Sequence, residues 1–243
     1  MTKDMSSVGR QAGFTFIETM LFLAVSGALA VGVLVSAGYA INVQRYRDAT
    51  TSLTNYIQGA YSDTVNVKND RQSTLECTPS SGIANGSGQP LGTSDCTIVG
   101  RLLRTDDGQT FTSTPVFARQ DTVNASNDTD AFAQVQLFTD DTLIESPAYV
   151  LEWGTSATRP GGTPIGSTSI LIVRSPLSGA IRTFVSSSTS VSPAVMAASS
   201  ALAADFPICV DPQGLNIGEL SGVVIHAEAS STSSVKQVTG GVC

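Results

Sequence analysis

Gly13–Ile41 reads GFTFIETMLFLAVSGALAVGVLVSAGYAI, and this stretch decides how the rest of the chain is interpreted. Glu18 is its only charged residue, while Arg10 lies before it and Arg45 after it. As an α-helix rising about 1.5 Å per residue, a segment of this length spans the roughly 30 Å hydrocarbon core of a bilayer. The sequence therefore predicts a membrane-spanning helix over residues 14–41, in contact with lipid.

The carboxylate of Glu18 is the unusual feature of this segment. A charged side chain inside a bilayer costs about 3 kcal/mol on insertion scales, and such residues usually mark a function and have a partner. A nearby cation is the best partner for a buried carboxylate. The segment itself supplies none, because no Lys or Arg occurs between Arg10 and Arg45.

The residues around Glu18 resemble the processing signal of type IV prepilins and of type II secretion pseudopilins. The matching features are a short basic leader that ends in Gly13, then Phe14, then Glu18 as the fifth residue counted from Phe14, then an apolar run. The resemblance is detailed over residues 8–61 and only architectural beyond them. It implies that a membrane-embedded prepilin peptidase cuts after Gly13 and then methylates the new amine of Phe14.

The resemblance also implies a role for Glu18 in assembly, in which its carboxylate meets the N-terminal amine of a neighbouring subunit. Cleavage after Gly13 would create that cation on Phe14, which agrees with the missing partner. On a single helix Glu18 lies one turn from the amine, so the pair could also form within one chain. The implied partners are the prepilin peptidase, other pilin subunits and an inner-membrane assembly platform.

The charges that flank the segment predict its orientation. Basic residues in the leader, residues 1–13, place the N-terminus in the cytoplasm by the positive-inside rule, although Arg45 and Arg47 at the other end weaken this prediction. We therefore expect a single-pass protein of the cytoplasmic membrane with its head outside. The resemblance implies later transfer into an extracellular pilus or a periplasmic pseudopilus.

Small residues recur at every fourth position of the segment, at Ala24, Ala28, Gly32, Ser36 and Ala40. Such rows let helix backbones approach closely in lipid, where packing drives association. The pattern predicts a helix-packing seam in a filament core. The alternative is that Ala and Gly are simply frequent in this span.

Two other interpretations of the segment are open. The basic leader, the apolar core and the small residues of Ala28-Leu29-Ala30 also match a secretory signal peptide, which would leave a mature chain starting at Val31. A charge at the head of the core and the continuation of the apolar run to Ile41 argue against it. A plain membrane anchor is the second interpretation, and it leaves Glu18 unexplained.

The chain beyond the apolar run predicts an α+β fold. Residues 14–61 form one predicted helix, amphipathic after Ile41, and its apolar residues follow a 3-4 spacing. These residues are Tyr46, Ala49, Leu53, Tyr56, Ile57 and Ala60. Residues 62–243 predict a β-rich head, and the resemblance implies a pilin-like arrangement in which the long N-terminal helix packs on it.

Turn signals and apolar runs predict several elements of the head. The Asp-Asp-Gly sequence at 106–108 indicates a β-hairpin. Ala133–Phe138 alternates as a strand does, and Ser169–Val173 is predicted to pair with Ile181–Val185. Pro193–Ala204 is rich in alanine and predicts a short helix.

Four cysteines, Cys77, Cys96, Cys209 and Cys243, all lie beyond the predicted helix. An even number in an exported domain indicates disulfides. A Cys77–Cys96 bridge would close the flexible loop Ser80–Ser94. The resemblance implies a Cys209–Cys243 bridge, which in many pilins closes a segment exposed on the filament surface. Three pairings are open, and we favour this sequential one.

The composition disfavours several other functions. From Tyr61 onward nine Lys and Arg face seventeen Asp and Glu, which argues against nucleic acid as a partner. The single histidine, His226, alternates within a predicted strand and is expected on a strand face, with no catalytic set, zinc site or cofactor. Asp121–Asp130 is dense in oxygen ligands but lacks an EF-hand spacing, so a solvated turn is expected instead of a calcium site.

These patterns predict a structural subunit, either a major or a minor pilin, of a type IV pilus-like filament. A type II secretion pseudopilin is an alternative with the same processing signal. A membrane-tethered extracellular binding module that never polymerises is an alternative of another class. Cleavage after Gly13 and a need for Glu18 distinguish the polymerising proteins from the tethered module.

Overall fold

A computed structural model of the chain describes residues 13–67, 75–78, 82–86, 96–119, 124–139, 148–215 and 217–243. Of the predicted leader, residues 1–13, only Gly13 falls within them. The chain divides into two units, Met1–Asn42 and Val43–Cys243. Helix α1, Phe16–Asn66, contributes to both units and ends beyond the predicted boundary at residue 61.

The second unit is rich in short β-strands. In chain order the strands of the described residues are β1 (Leu75–Thr78), β2 (Gly82–Asn85), β3 (Cys96–Thr105), β4 (Thr110–Arg119), β5 (Leu137–Phe138), β6 (Ala148–Val150), β7 (Ser156–Thr158), β8 (Thr168–Arg174), β9 (Ile181–Ser186), β10 (Phe206–Asp211), β11 (Ser221–Ile225) and β12 (Val235–Thr239). The same residues include the short helices α2 (Asp128–Gln134) and α3 (Pro193–Ala197) and the 3-10 turns Glu152–Gly154 and Thr232–Ser234.

The strands of the described residues pair in antiparallel fashion throughout. The larger sheet has the order β5-β4-β3-β8-β9, with β6 also paired to β4. The second sheet has the order β12-β11-β10-β7, and β1 and β2 form a separate hairpin. A long N-terminal helix packed on antiparallel sheets is an α+β fold, which confirms the predicted class.

The second half of α1 packs on both sheets through one apolar face. The face predicted from the 3-4 spacing is buried, and Leu53 and Ile57 are fully covered. They share one core cluster with Phe111 and Ile172 of the larger sheet and Ile208 of the second sheet. Burying one such side chain stabilises the fold by about 1.5–3 kcal/mol, so this face of α1 joins the two sheets.

Strand β8 shows how the larger sheet is covered on its other side. Ile170 and Ile172 join the cluster with α1, whereas Leu171 and Val173 join a second cluster that includes residues of α2 and α3. The strand is therefore buried on both faces. This accounts for its continuous apolar sequence, which is typical of a fully buried strand.

Two buried tyrosine hydroxyls bond α1 to the head. The hydroxyl of Tyr46 accepts from the N–H of Ser221 at 2.6 Å and donates to the carbonyl of Val210 at 2.8 Å. The hydroxyl of Tyr61 lies 2.7 Å from that of Thr183, which itself donates to a backbone carbonyl, so Tyr61 is the donor. Burial raises the pKa of Tyr61 to about 12, so the hydroxyl keeps its proton at neutral pH.

The hairpin predicted from the Asp-Asp-Gly sequence is confirmed between β3 and β4. The carboxylate of Asp107 accepts the N–H groups of Thr110 and Gln109, both at 2.8 Å. These donors, Thr110 first, hold the pKa of Asp107 below its usual value. Gly108 has a φ of +71°, and a Cβ there would lie 2.7 Å from the carbonyl oxygen of Ala157, so the position requires glycine.

Two local predictions for the head are right only in part. Most of Ala133–Phe138 is not a strand, because α2 takes its first residues and leaves only β5 at its end. The amide oxygen of Asn127 accepts the N–H of Asp130 at 2.9 Å, and this cap starts a helix where alternation had indicated a strand. The helix predicted over Pro193–Ala204 stops with α3, after which a serine hydroxyl bonds a carbonyl of its last turn.

Both disulfides of the structure join cysteines that are neighbours in sequence order, Cys77 with Cys96 and Cys209 with Cys243. The second disulfide fastens the last residue of the chain to β10. The segment between Cys209 and Cys243 contains the buried strand β11 and also exposed residues, among them residues 213–214 and 236–237. Its exposure on a filament surface stays a prediction.

Replacing Tyr46 with Phe is expected to lower the free energy of unfolding by about 1–3 kcal/mol, because the buried N–H of Ser221 would lose its acceptor. Denaturant unfolding of the purified chain in detergent measures this change. Tyr39→Phe is the matched control, since Tyr39 is 50% exposed and should change the stability little. Equal stabilities for the two variants would contradict the role given to the Tyr46 hydroxyl.

Candidate processing and assembly segment

The first unit presents almost all of its side chains to its surroundings. Every residue from 13 to 42 except Ser26 and Asn42 is exposed. Phe16, Ile17 and Leu34 are 74%, 76% and 72% exposed. By length and composition, this helix is apolar enough to cross a membrane. An apolar surface of this extent marks a site for contact with lipid or with other protein chains.

Thr15 caps the start of α1. Its Oγ1 accepts the N–H of Glu18 at 3.3 Å, and its carbonyl accepts the N–H of Thr19 at 3.1 Å. Because the helix begins at Phe16, Thr15 is the N-cap residue and Glu18 is the third residue of the helix. Thr-x-x-Glu is the sequence pattern of a capping box. This cap was not among the predictions from the sequence, although Thr15 and Glu18 have the required spacing.

The cap gives Glu18 a local role beside the one expected in assembly. A carboxylate in the first turn lies near the positive end of the helix dipole, which typically stabilises by about 0.3–1 kcal/mol. In the uncleaved chain the nitrogen of Phe14 belongs to a peptide bond, so it carries no positive charge. Helix capping therefore offsets part of the cost of an acidic residue at position 18, and the pairing of Glu18 with a free amine remains a prediction.

The predicted seam of Ala24, Ala28, Gly32, Ser36 and Ala40 is exposed along its whole length. A Cβ added at Gly32 meets nothing within 4 Å, so no contact within the described chain requires a small residue there. Each step of four residues turns about 40° around an α-helix with 3.6 residues per turn. The row therefore winds around the helix, and a partner helix that crosses it would contact about three of its members.

The described residues hold no group of three or more His, Cys, Asp or Glu side chains that could bind a metal ion. His226, predicted on a strand face, lies just after the end of β11, so that prediction is wrong. The carboxylate of Asp205 accepts the N–H of Ala227 at 2.8 Å and lies 3.1 Å from Nδ1 of His226. These contacts draw the chain into a turn and lower the pKa of Asp205, with the Ala227 N–H as the larger cause.

Part of the acidic loop considered for calcium, including Asp121, lies outside the described residues. Asp128 accepts from the hydroxyl of Ser175 at 2.6 Å, and Asp130 accepts from the amide of Asn127 at 2.7 Å. The Ser175 hydrogen bond is the main cause that lowers the pKa of Asp128. These two carboxylates therefore hold the start of α2 and the turn after β8 in place.

A polar depression of about 520 Å³ lies beside the hairpin of β3 and β4. It is lined by Arg104, Thr105, Asp106, Asp107, Thr110, Thr112, Thr114 and Thr189. Asp106 accepts from the hydroxyls of Ser167 and Thr189 at 2.9 Å and 2.6 Å, and Asp107 closes the hairpin. Both carboxylates of the depression thus stabilise loops of the head, and we assign the depression no further function.

The predicted processing residues, Gly13 and Phe14, precede the first helical residue and are both exposed. No protein-family model, curated protein or solved structure matches the chain. The family resemblance rests on the residues around Gly13 and Glu18. The four cysteines lie in the second unit, away in sequence from the processing residues, and they form structural disulfides.

Proposed function

We propose that this chain is a structural subunit, a major or a minor pilin, of a type IV pilus-like filament. It is made as a precursor, anchored in the cytoplasmic membrane by the apolar part of α1, and cleaved after Gly13. The observation that supports the proposal best is an exposed apolar helix that carries Glu18 in its first turn. Such a surface is stable in lipid and equally stable against the same surface of neighbouring copies.

The position of the Gly13–Phe14 bond suits processing by a membrane-embedded peptidase. Gly13, Phe14 and Thr15 are exposed and lie outside the helix. A protease needs an accessible and locally unfolded backbone, and segments outside regular structure are its preferred sites. Cleavage there removes the leader and leaves the Thr15 cap of α1 in place. The new amine of Phe14 then lies close in sequence to Glu18.

Assembly in this proposal is a transfer of apolar surface from lipid to protein. The hydrophobic side chains leave the bilayer without being exposed to water, so the cost of extraction stays small. Packing alone fixes the axial position of a subunit poorly. A carboxylate buried beside an amine of a neighbour fixes it well, because an unpaired buried charge costs several kcal/mol. Glu18 supplies that carboxylate, and the assembly platform supplies the work of extraction.

A membrane-tethered binding module that never polymerises is the second candidate. One observation favours it, namely that the helix start capped by Thr15 gives Glu18 a stabilising position without any neighbouring subunit. A type II secretion pseudopilin shares the processing and the polymerisation of the main proposal. The three experiments that follow test processing, charge pairing and helix packing separately.

The native protein is expected to begin at Phe14 and to carry a methyl group on that amine. N-terminal sequencing and an intact mass of the protein from its own cells measure both. Gly13→Leu is the matched variant, and it should keep the leader because it places a bulky side chain at the cleaved bond. A start at Met1 in the native protein would contradict the proposal, and a start at Val31 would indicate a secretory signal peptide.

Two substitutions separate the charge of Glu18 from its role in the helix cap. Glu18→Gln removes the charge but keeps a residue type that suits a capping box, whereas Thr15→Ala removes the cap and keeps the charge. We expect Glu18→Gln to lower incorporation into sheared filaments by about tenfold or more, because the amine of a neighbour would be buried unpaired. Thr15→Ala should incorporate nearly normally.

The opposite result, normal incorporation of Glu18→Gln and loss with Thr15→Ala, would assign Glu18 to the helix cap alone. Cross-linking of the chain in membranes, before filaments are sheared, checks that both variants are inserted in equal amounts. Equal insertion makes any difference in the filaments a difference in assembly.

Enlarging the small residues of the seam is expected to block assembly without affecting the head. Ala28→Leu with Gly32→Leu adds bulk where the seam would meet another helix, and overpacking of this kind typically costs about 1–3 kcal/mol per site. Val25→Leu with Val33→Leu is the control, because those positions already carry larger side chains. Equal polymerisation of the two double variants would contradict the packing role of the seam. As a control, denaturant unfolding should give the same head stability for both.

A further inference from the structure

The sole tryptophan of the chain is exposed on the second unit. Trp153 lies in the turn Glu152–Gly154 and is 52% exposed, and Val150 in the preceding strand β6 is 59% exposed. Leu151 and Thr155 on either side of the turn are buried. The turn is therefore anchored at both ends while its tip presents a large ring to the surroundings.

The backbone and the ring of Trp153 are both held in place. Its φ is +60°, in the left-handed region that bulky residues rarely occupy. The guanidinium of Arg45 lies over the ring, with Cζ 4.8 Å from the ring centroid, within the range of a cation-π interaction. A strained and exposed aromatic ring gains little packing from its own chain, so its position indicates a contact with something outside the chain.

Arg45 is close in sequence to the end of the apolar run. It follows Ile41 by four positions, and four residues of an α-helix rise about 6 Å. The polar layer on each side of a bilayer is roughly 5–7 Å thick, which is half the difference between the total thickness and the hydrocarbon thickness. If residues 14–41 span the hydrocarbon core, Arg45 and the ring that it covers lie at the level of the lipid headgroups.

We propose that Trp153 and Val150 contact the headgroup layer of the membrane while the subunit awaits assembly. Tryptophan is enriched in this layer because its ring is apolar and its N–H is polar. Glu152 in the same turn is an exposed acidic residue, and the whole chain carries a net charge of -7. The contact therefore depends on partitioning of the ring and needs no anionic lipid.

This contact rests on the membrane-anchored stage of the proposed function. It limits the tilt of the head against the bilayer, because the head is then held at the headgroup layer as well as by the membrane helix. The contact breaks when the subunit enters a filament, so the ring then moves either to water or to a surface of a neighbouring copy.

The single tryptophan allows a direct test by fluorescence. The uncleaved full-length chain is placed in phosphatidylcholine nanodiscs, one chain per disc, in which the acyl chains carry bromine either near the glycerol or in mid-chain. Bromine quenches a tryptophan that lies close to it. We expect Trp153 to lose emission with bromine near the glycerol, to lose less with mid-chain bromine, and to change little when salt is added.

A matched control moves the tryptophan to the other end of the head. In a Trp153→Phe background, Leu177→Trp places the ring at a site that is 49% exposed, in the turn after β8. Arg174 of that strand donates to the carbonyls of Thr64 and Val65 near the end of α1. Nineteen residues separate Arg45 from Thr64, or roughly 28 Å along the helix, so bromine in the lipid should not quench this ring.

A second control tests the anchor by itself. In the same Trp153→Phe background, Leu29→Trp places a ring in the middle of the apolar run, where mid-chain bromine should quench it strongly. Quenching of Leu29→Trp without quenching of Trp153 would overturn the headgroup contact and leave the anchor intact. Failure to quench Leu29→Trp would overturn the anchor and the contact together. Quenching of Trp153 no greater than that of Leu177→Trp would also overturn the contact.

Discussion

The contact on which the head depends is the apolar face of α1 from Tyr46 to Tyr61. Side chains from β3, β4, β8, β10 and β11 all join the cluster around Leu53 and Ile57. Both sheets therefore pack on this one face of the helix. Without the helix, the inner faces of both sheets would be open to water. The tyrosine hydroxyls at the two ends of this face add direction to an otherwise nondirectional contact. Tyr46 bonds the strands β10 and β11, and Tyr61 bonds β9.

The same helix has no equivalent cover before Val43. Its side chains change there from a one-sided apolar pattern to an apolar surface all round, and the described chain folds nothing over that surface. A surface of this kind needs lipid or protein around it at every stage in the life of the molecule. In the proposed function, this surface is covered in two stages, first by the lipid of the membrane and then by copies of the same helix. The Thr15 cap keeps the helix intact at its start in either setting.

Local signals in the sequence were enough to predict the parts of the fold that depend on few neighbours. The buried face of α1 followed from its 3-4 spacing, and the hairpin of β3 and β4 followed from an Asp-Gly turn whose glycine requires a positive φ. Local hydrogen bonds explain the errors. The Asn127 cap starts a helix where a strand had been expected. Asp205 holds a turn around His226, which therefore lies outside the strand in which it had been expected. Strand β10 was missed because part of its pairing is with β7, which lies far away in the chain. Strand β12 was missed as well, although its partner β11 comes directly before it.

The candidate site was predictable in part for the same reason. Gly13, Phe14 and Glu18 form a compact motif that can be recognised in the sequence, and the spacing of Thr15 and Glu18 also indicates the cap that we overlooked. The ring of Trp153 over the guanidinium of Arg45 could not be predicted, since over a hundred positions separate them and only the tertiary fold brings them together.

If the proposed filament forms, the Cys209–Cys243 disulfide has a mechanical consequence. Tension would then enter each subunit along its helix, and the hydrogen bonds of the Tyr46 hydroxyl would pass it to β10 and β11. The crosslink encloses a loop with a sequence separation of 34, which cannot be drawn out even if the second sheet is torn. Fully extended at about 3.3–3.6 Å per residue, this loop would be more than 100 Å long. The crosslink therefore limits how far a pulled subunit can lengthen.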